Sequence, residues 1–273
     1  MTTAAGRRAA AACRILPAAV ALAAAALAMT GCASTPDPTP TPTGTADALT
    51  GSITVFAAAS LTQTFEQLAD AFEAEHPGTR ITFSFAGSSD LVAQLIEGAP
   101  GDVFASANEA NMTKLVDAGL ADGEPTVFAT NVLEIAVPPG NPGGVTDFAS
   151  LADPGLRLVV CAEAVPCGAA TVVVEAATGV VLAPVSEENA VTDVLGKVAS
   201  GEADAGLVYA TDVLGADGAV EGIPFPESAE AVNRYPIVRV AGAANAELAD
   251  AFIAYVLGAE GAASLAAAGF GTP

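Results

Sequence analysis

From residue 52 onward, apolar and polar positions recur in two rhythms. Residues 53–58 form an apolar run rich in strand formers, after which Leu61, Phe65, Leu68 and Phe72 return at helical spacing. Residues 80–85 place Ile81, Phe83 and Phe85 on one strand face, and Leu91, Val92, Leu95 and Ile96 predict a helix that Gly98 stops. A third strand is expected over 102–106, followed by a helix marked by Met112, Leu115 and Val116 and ended at Gly119. A second block opens at 132–137 and runs into the breaker-rich stretch PPGNPGG. It continues with a strand over 156–161, a helix over 169–177, and a helical face carrying Val191, Val194, Leu195 and Val198. Short strands over 205–209 and 237–240 and a last helix with Leu248, Phe252, Ile253 and Val256 complete the pattern. Repeated strand–helix units predict parallel sheets covered by helices on both faces, and the length of the pattern predicts two lobes. In such sheets ligands bind beyond the carboxyl ends of the strands, where the helices begin.

The first part of the chain follows a different logic. Arg7, Arg8 and Arg14 precede an uncharged apolar run over 15–29 that is too short to span a membrane. The sequence Leu27-Ala28-Met29-Thr30-Gly31-Cys32 resembles the lipobox of bacterial lipoproteins, although Met29 is unusual at its position. Residues 1–31 are therefore expected to be a lipoprotein signal peptide and Cys32 the acylated residue. An ordinary signal peptide with a chance Cys is the alternative, and Arg7-Arg8 also permits a twin-arginine reading. Residues 32–50, rich in Pro and Thr, lack apolar periodicity and are expected to form a tether.

Charge and cysteine content narrow the chemistry. The chain has 31 acidic and 9 basic residues and a net charge of -22, which excludes a nucleic-acid binder. The same field repels anions, so any anion site must be assembled from local donors. Cys161 and Cys167, in a chain bound for an oxidising compartment and separated by five residues, are expected to form a disulfide, with two free thiols as the alternative. With His76 the sole His, no metal site or Ser-His-Asp set emerges, and no nucleotide-binding or hydrolase motif is present.

Two segments pass from an apolar strand through small residues and Ser into a helix: VFAAASLT, with Ser60, and FSFAGSSD, with Ser88. A helix N-terminus offers free N–H groups and partial positive charge, and Ser adds a hydroxyl donor. Ser is also a favoured N-cap of any helix, so this pattern alone does not establish a site. The segment VPCGA leads into a third helix, with Gly168 keeping the backbone accessible, and Tyr209 ends a strand, where it is either a site donor or a core residue.

Taken in order, ITVFAAASLTQTFEQLADAFE, FAGSSDL, LIEGAPGDVFASAN, VPCGAAT and GLVYATD resemble the molybdate-binding proteins of ABC importers over about residues 52–272. The resemblance implies a periplasmic-binding-protein fold: two α/β lobes, each a mixed, mostly parallel sheet, joined by two crossover strands that act as a hinge. Lobe 1 would comprise 51–131 plus 236–273 and lobe 2 132–235. It implies a bare tetrahedral oxyanion held between the lobes by Ser60, Ser88, the N–H groups of Cys167 and Val191, and the Tyr209 phenol. Cys167 stands where the family commonly has Ala, and Ala190 where it has an acid. Molybdenum would be bound only as its oxyanion, with no protein ligand on the metal and no cofactor. The expected partners are molybdate or tungstate, the permease and ATPase subunits of the importer, and the outer face of the cytoplasmic membrane through the lipid; the chain would act as a monomer. No cation lies in these segments, so affinity is expected to vary little across neutral pH. Another oxyanion, such as sulfate or phosphate, is the nearest alternative, with Asp90 and Glu188 as possible acceptors for a phosphate proton. A hydrolase or transferase using Ser60 or Ser88 is another. A ferric-iron binder would want clustered Tyr, whereas Tyr209, Tyr235 and Tyr255 are scattered in sequence.

Overall fold

The structure, a computed structural model, describes residues 48–273. The signal segment, Cys32 and the tether up to residue 47 lie outside the described residues.

The chain enters through β1 (Gly51–Ala58), whose alternate residues feed two cores. Ile53, Val55 and Ala57 join one with Phe65, Phe72 and Phe252, while Phe56 joins the other with Leu91, Phe104 and Leu115. A 3-10 turn, Ala59–Leu61, then leads into α1 (Thr62–Glu75). Next come β2 (Thr79–Ala86), α2 (Ser88–Ile96), β3 (Val103–Ala105), α3 (Glu109–Asp117) and β4 (Ala121–Asn131). The second block holds β5 (Leu133–Val137), β6 (Leu158–Cys161), α4 (Pro166–Thr178) and β7 (Ser186–Glu188). It continues through α5 (Val191–Ala199), β8 (Ala205–Tyr209), α6 (Ala210–Gly215) and β9 (Glu221–Ile223). The chain returns to the first block in β10 (Asn233–Val240) and ends with α7 (Ala246–Leu257) and α8 (Ala259–Ala267).

Two five-stranded sheets result, ordered β2-β1-β3-β10-β4 and β7-β6-β8-β5-β9. In the first, β1, β2 and β3 are parallel and β10 is antiparallel to both neighbours. In the second, β6, β7 and β8 are parallel and β5 is antiparallel to β8 and β9. The antiparallel strand of each sheet is the one reached by crossing from the other block. These are two mixed α/β lobes. Because β10 starts at Asn233, the expected division between 235 and 236 falls inside a strand.

The crossings are polar where polar residues are rare. Asn131 and Asn233 are Cα partners at the end of the β4–β10 ladder, and both are buried. Asn131 donates to Thr211 Oγ1 at 2.7 Å, and Asn233 donates to Ala107 O at 2.8 Å. A register shift falls at Tyr235/Pro236. Proline cannot donate to the ladder, and a bulge is where an interior strand accommodates one.

Candidate functional site

The carboxyl ends of β1, β2, β6, β7 and β8 all lead toward one small cavity, and the helices that follow start around it. Ser60, Ser88, Cys167, Val191 and Tyr209 line it together, with Gly87 and Ala107 among the small residues between them. The segments that sequence reasoning singled out separately are thus brought to one place.

Most of these residues owe their position to a helix start. Ser88 is the first residue of α2, Val191 the first of α5, and Cys167 the second of α4, after Pro166. The first N–H groups of a helix have no intrahelical acceptor. Here no side chain caps them either, whereas Asn108 caps α3 and Asn245 caps α7. Ser60 sits in the 3-10 turn ahead of α1 and not at an N-cap, a correction of detail to the expected helix start. Tyr209 is the residue before α6.

Two glycines show how tightly the parts meet. A Cβ on Gly87 would overlap the backbone oxygen of Asn189 in the other lobe. A Cβ on Gly168 would overlap Ala162 O, where the chain doubles back from β6 into α4. Cys161 and Cys167 are joined by a disulfide across that same loop. In the chain-entropy account so short a loop contributes about 2 kcal/mol.

The hydroxyls at the cavity differ in their partners. Ser88 is 1% exposed and its Oγ accepts the Ala107 N–H at 3.0 Å. Ser60 Oγ lies 3.1 Å from Tyr235 Oη. Tyr209 is 1% exposed; its hydroxyl lies near Tyr235 and Asn233 but makes no hydrogen bond of good geometry. Burial pushes both phenols upward, Tyr209 well above the ordinary value, so each keeps its proton.

No charged side chain lines the cavity. Asp90 is exposed on α2, and Glu188 is bound to Lys197 at 2.5 Å. Neither lines the cavity. A wider cavity of about 570 Å³ adjoins the first through Ser60, but Asp212 and Asp217 line it, which suits a bare anion poorly. Sequence reasoning missed Asp212: its carboxyl is buried and accepts the Tyr209 N–H at 2.9 Å. Its signal was present in YATD, three residues after the Tyr, but nothing marked it as buried.

Two other readings lose ground on this geometry. Tyr209 and Tyr235 are neighbours, with ring centroids 6.0 Å apart, although far apart in sequence. A ferric site needs several anionic ligands together, and the cavity lining offers Tyr209 but no carboxylate and no second Tyr. Among the described residues no group of three or more His, Cys, Asp or Glu is placed to hold a metal. A serine nucleophile needs a base, yet the hydroxyls of Ser60 and Ser88 meet only a phenol and a backbone N–H, and His76 packs on Phe72.

The family model for bacterial extracellular solute-binding proteins matches residues 53–271. The molybdate-binding protein ModA of Mycobacterium tuberculosis H37Rv is 50% identical over 222 residues, covering 81% of this chain and 85% of that protein. ModA of Escherichia coli K12 is 32% identical over 222 residues, covering 78% and 86%. Among solved structures, the periplasmic molybdate-binding protein of Azotobacter vinelandii superposes with a TM-score of 0.71 at 26% identity, covering 81% of this chain and 99% of that one. The chain therefore belongs to the bacterial extracellular solute-binding protein family, alongside its ModA molybdate-binding members.

Proposed function

We propose that this protein captures molybdate or tungstate outside the cytoplasm and delivers it to an ABC importer. It is a binding component and not an enzyme. The observation that carries the reading is the lining of the small cavity: hydroxyls and uncapped helix N-termini converge there with neither cation nor carboxylate. A fully deprotonated tetrahedral oxyanion needs donors alone, and hydrogen bonds must replace its water shell when it is buried. A protonated phosphate would in addition need an acceptor. Ser60, Ser88, the N–H groups of Cys167 and Val191, and the buried Tyr209 hydroxyl supply such a donor set, with no protein ligand on molybdenum itself. Titration calorimetry with molybdate, tungstate, sulfate and phosphate tests the reading. Binding of the first two and rejection of phosphate is expected; tighter sulfate than molybdate binding would overturn it.

The same proposal places the protein as a monomer on the outer face of the cytoplasmic membrane, held through acylated Cys32 and serving permease and ATPase subunits. The lipobox-like sequence and Pro/Thr tether support this part. Intact mass of membrane-extracted protein should show the acyl chains, and Cys32→Ala should release the protein. Equal solubility with and without the Cys would remove the anchor.

A further inference from the structure

The serines can serve an anion only if their protons point at it, and something must hold them there. A Ser hydroxyl has one proton and turns among three staggered positions. Ser88 is held by the Ala107 N–H, which occupies the acceptor side of its Oγ and leaves its proton free. Ser60 has no such backbone donor. What it has is Tyr235 Oη at 3.1 Å.

Resting on the oxyanion reading above, we infer that Tyr235 is a positioning residue: its phenol donates to Ser60 Oγ and thereby commits the only Ser60 proton to the anion. A shared hydrogen bond between two hydroxyls has two directions. If Ser60 donated to Tyr235, it would have no proton for the ligand, so the binding-competent direction is Tyr235 to Ser60. The phenol suits this role. Tyr235 is 0% exposed, and burial raises its pKa, so it cannot become a phenolate that only accepts. Its ring is held edge-on by Phe128 and Phe270, with centroids 6.2 and 5.4 Å away, and by Tyr209 at 6.0 Å. The register shift at Tyr235/Pro236 is the kind of bulge that re-aims a side chain.

The same strand end supports the other serine. Asn233, two residues before Tyr235, donates to Ala107 O at 2.8 Å and lies 3.5 Å from Pro166 O, next to Cys167. The peptide unit chain that holds Ser88 is thus tied to the crossing strand that holds Ser60.

A double-mutant cycle tests the inference: Tyr235→Phe, Ser60→Ala and the pair, titrated with molybdate. Phe keeps the ring and removes only the donor. Freeing the hydroxyl among three positions costs about threefold, and losing the polarising donor brings the expected loss to about threefold to tenfold. In the Ser60→Ala background Tyr235→Phe should change affinity less than about twofold. Equal losses in both backgrounds, or no loss in either, overturn the inference. A role in packing alone gives equal losses, because it does not need the Ser60 hydroxyl. If Ser60→Ala itself binds as the parent does, the oxyanion reading fails at Ser60, a separate result from additivity. Should Tyr235→Phe fail to fold, 3-fluorotyrosine labelling gives the second readout. On molybdate binding the Tyr235 resonance should shift further in the parent than in Ser60→Ala, where only the nearby charge and Tyr209 act on it; identical shifts in both overturn the inference.

Discussion

At the scale of single residues, the site makes unequal demands on its donors. Hydrogen bonds to a charged partner are worth about 1.5–3 kcal/mol each, so removing one hydroxyl should weaken molybdate binding by about 10- to 150-fold. Ser60→Ala and Ser88→Ala retain their backbone N–H and should fall toward the lower end. Tyr209→Phe loses the side-chain donor of a fully buried residue that has no intramolecular partner to fall back on, and should fall toward the upper end. Calorimetry with circular dichroism as a folding check decides this, and parent-like binding by all three would move the anion elsewhere. Asp212 adds a dependence that the residues around the anion do not disclose. Burial pushes its carboxyl up from 3.8 to about 7, against the pull of the Tyr209 N–H. The folded chain then keeps a proton that the unfolded chain gives up above about pH 4, so this residue's contribution to stability falls from there to about pH 7 and is level beyond. The groups it acts on are Tyr209 and Tyr235, whose phenols are protonated throughout that range. A dianion bound beside Tyr209 raises the Asp212 pKa further, so binding takes up a proton and affinity falls as pH rises through neutrality. The expectation of little change across neutral pH, drawn from the lack of cations in the site segments, predicts the opposite, and the measurement separates the two. Calorimetry in two buffers of different ionisation enthalpy should detect the uptake in the parent and lose it in Asp212→Asn; uptake unchanged in the variant would place the proton elsewhere.

At the scale of elements, the contact between helix starts sets what can close. Gly87 has φ −60° and ψ 139°, a conformation open to any residue, so its requirement is space. The atom a Cβ would meet there belongs to Asn189 of the other lobe, whereas at Gly168 it belongs to the same lobe. Gly87→Ala should therefore spare each lobe and keep its thermal midpoint, yet lose at least about tenfold in molybdate affinity because the lobes cannot meet. Small-angle scattering should show the parent contracting on molybdate and Gly87→Ala remaining more extended. A contraction equal to the parent's would show that this contact is dispensable. What the chain reveals of its elements in advance follows from burial. β8 is buried at every residue, and its limits were legible to the residue in the apolar run AGLVY. β4 escaped notice because only Phe128, Ala129 and Asn131 of ADGEPTVFATN are buried, and β7 and β9 because SEE and EGI hold almost no apolar signal. α4 starts at Pro166 rather than 169, since Pro at the first helical position costs no hydrogen bond. The Ser–helix starts were legible for the same local reason. Tyr235 was not, because its meeting with Ser60 spans 175 residues and depends on which strand returns between β3 and β4.

At the scale of the whole molecule, a local site for an anion sits inside a field that repels one. The net charge is -22, and the small cavity has no cation in its lining. The donors proposed to hold the ligand are dipoles and hydroxyls, whose influence fades within a turn of helix, while the acidic surface acts over the Debye length. That length shrinks from about 30 Å at 0.01 M salt to about 8 Å at 0.15 M. Added inert salt should therefore remove the long-range repulsion and leave the short-range donors intact. The association rate of molybdate should rise over that range, and the dissociation rate should change little, because it is set inside the closed lobes. This is the opposite of what a site built on Arg or Lys would do, where salt weakens attraction and slows capture. The chain has no Trp and three Tyr, two of them at the proposed site, so stopped-flow tyrosine fluorescence can follow the reaction directly. With chloride kept as the inert anion, a rate that falls with salt would mean that a local positive potential dominates the approach. The neutral-donor account of capture would then be wrong, even if the bound geometry were right.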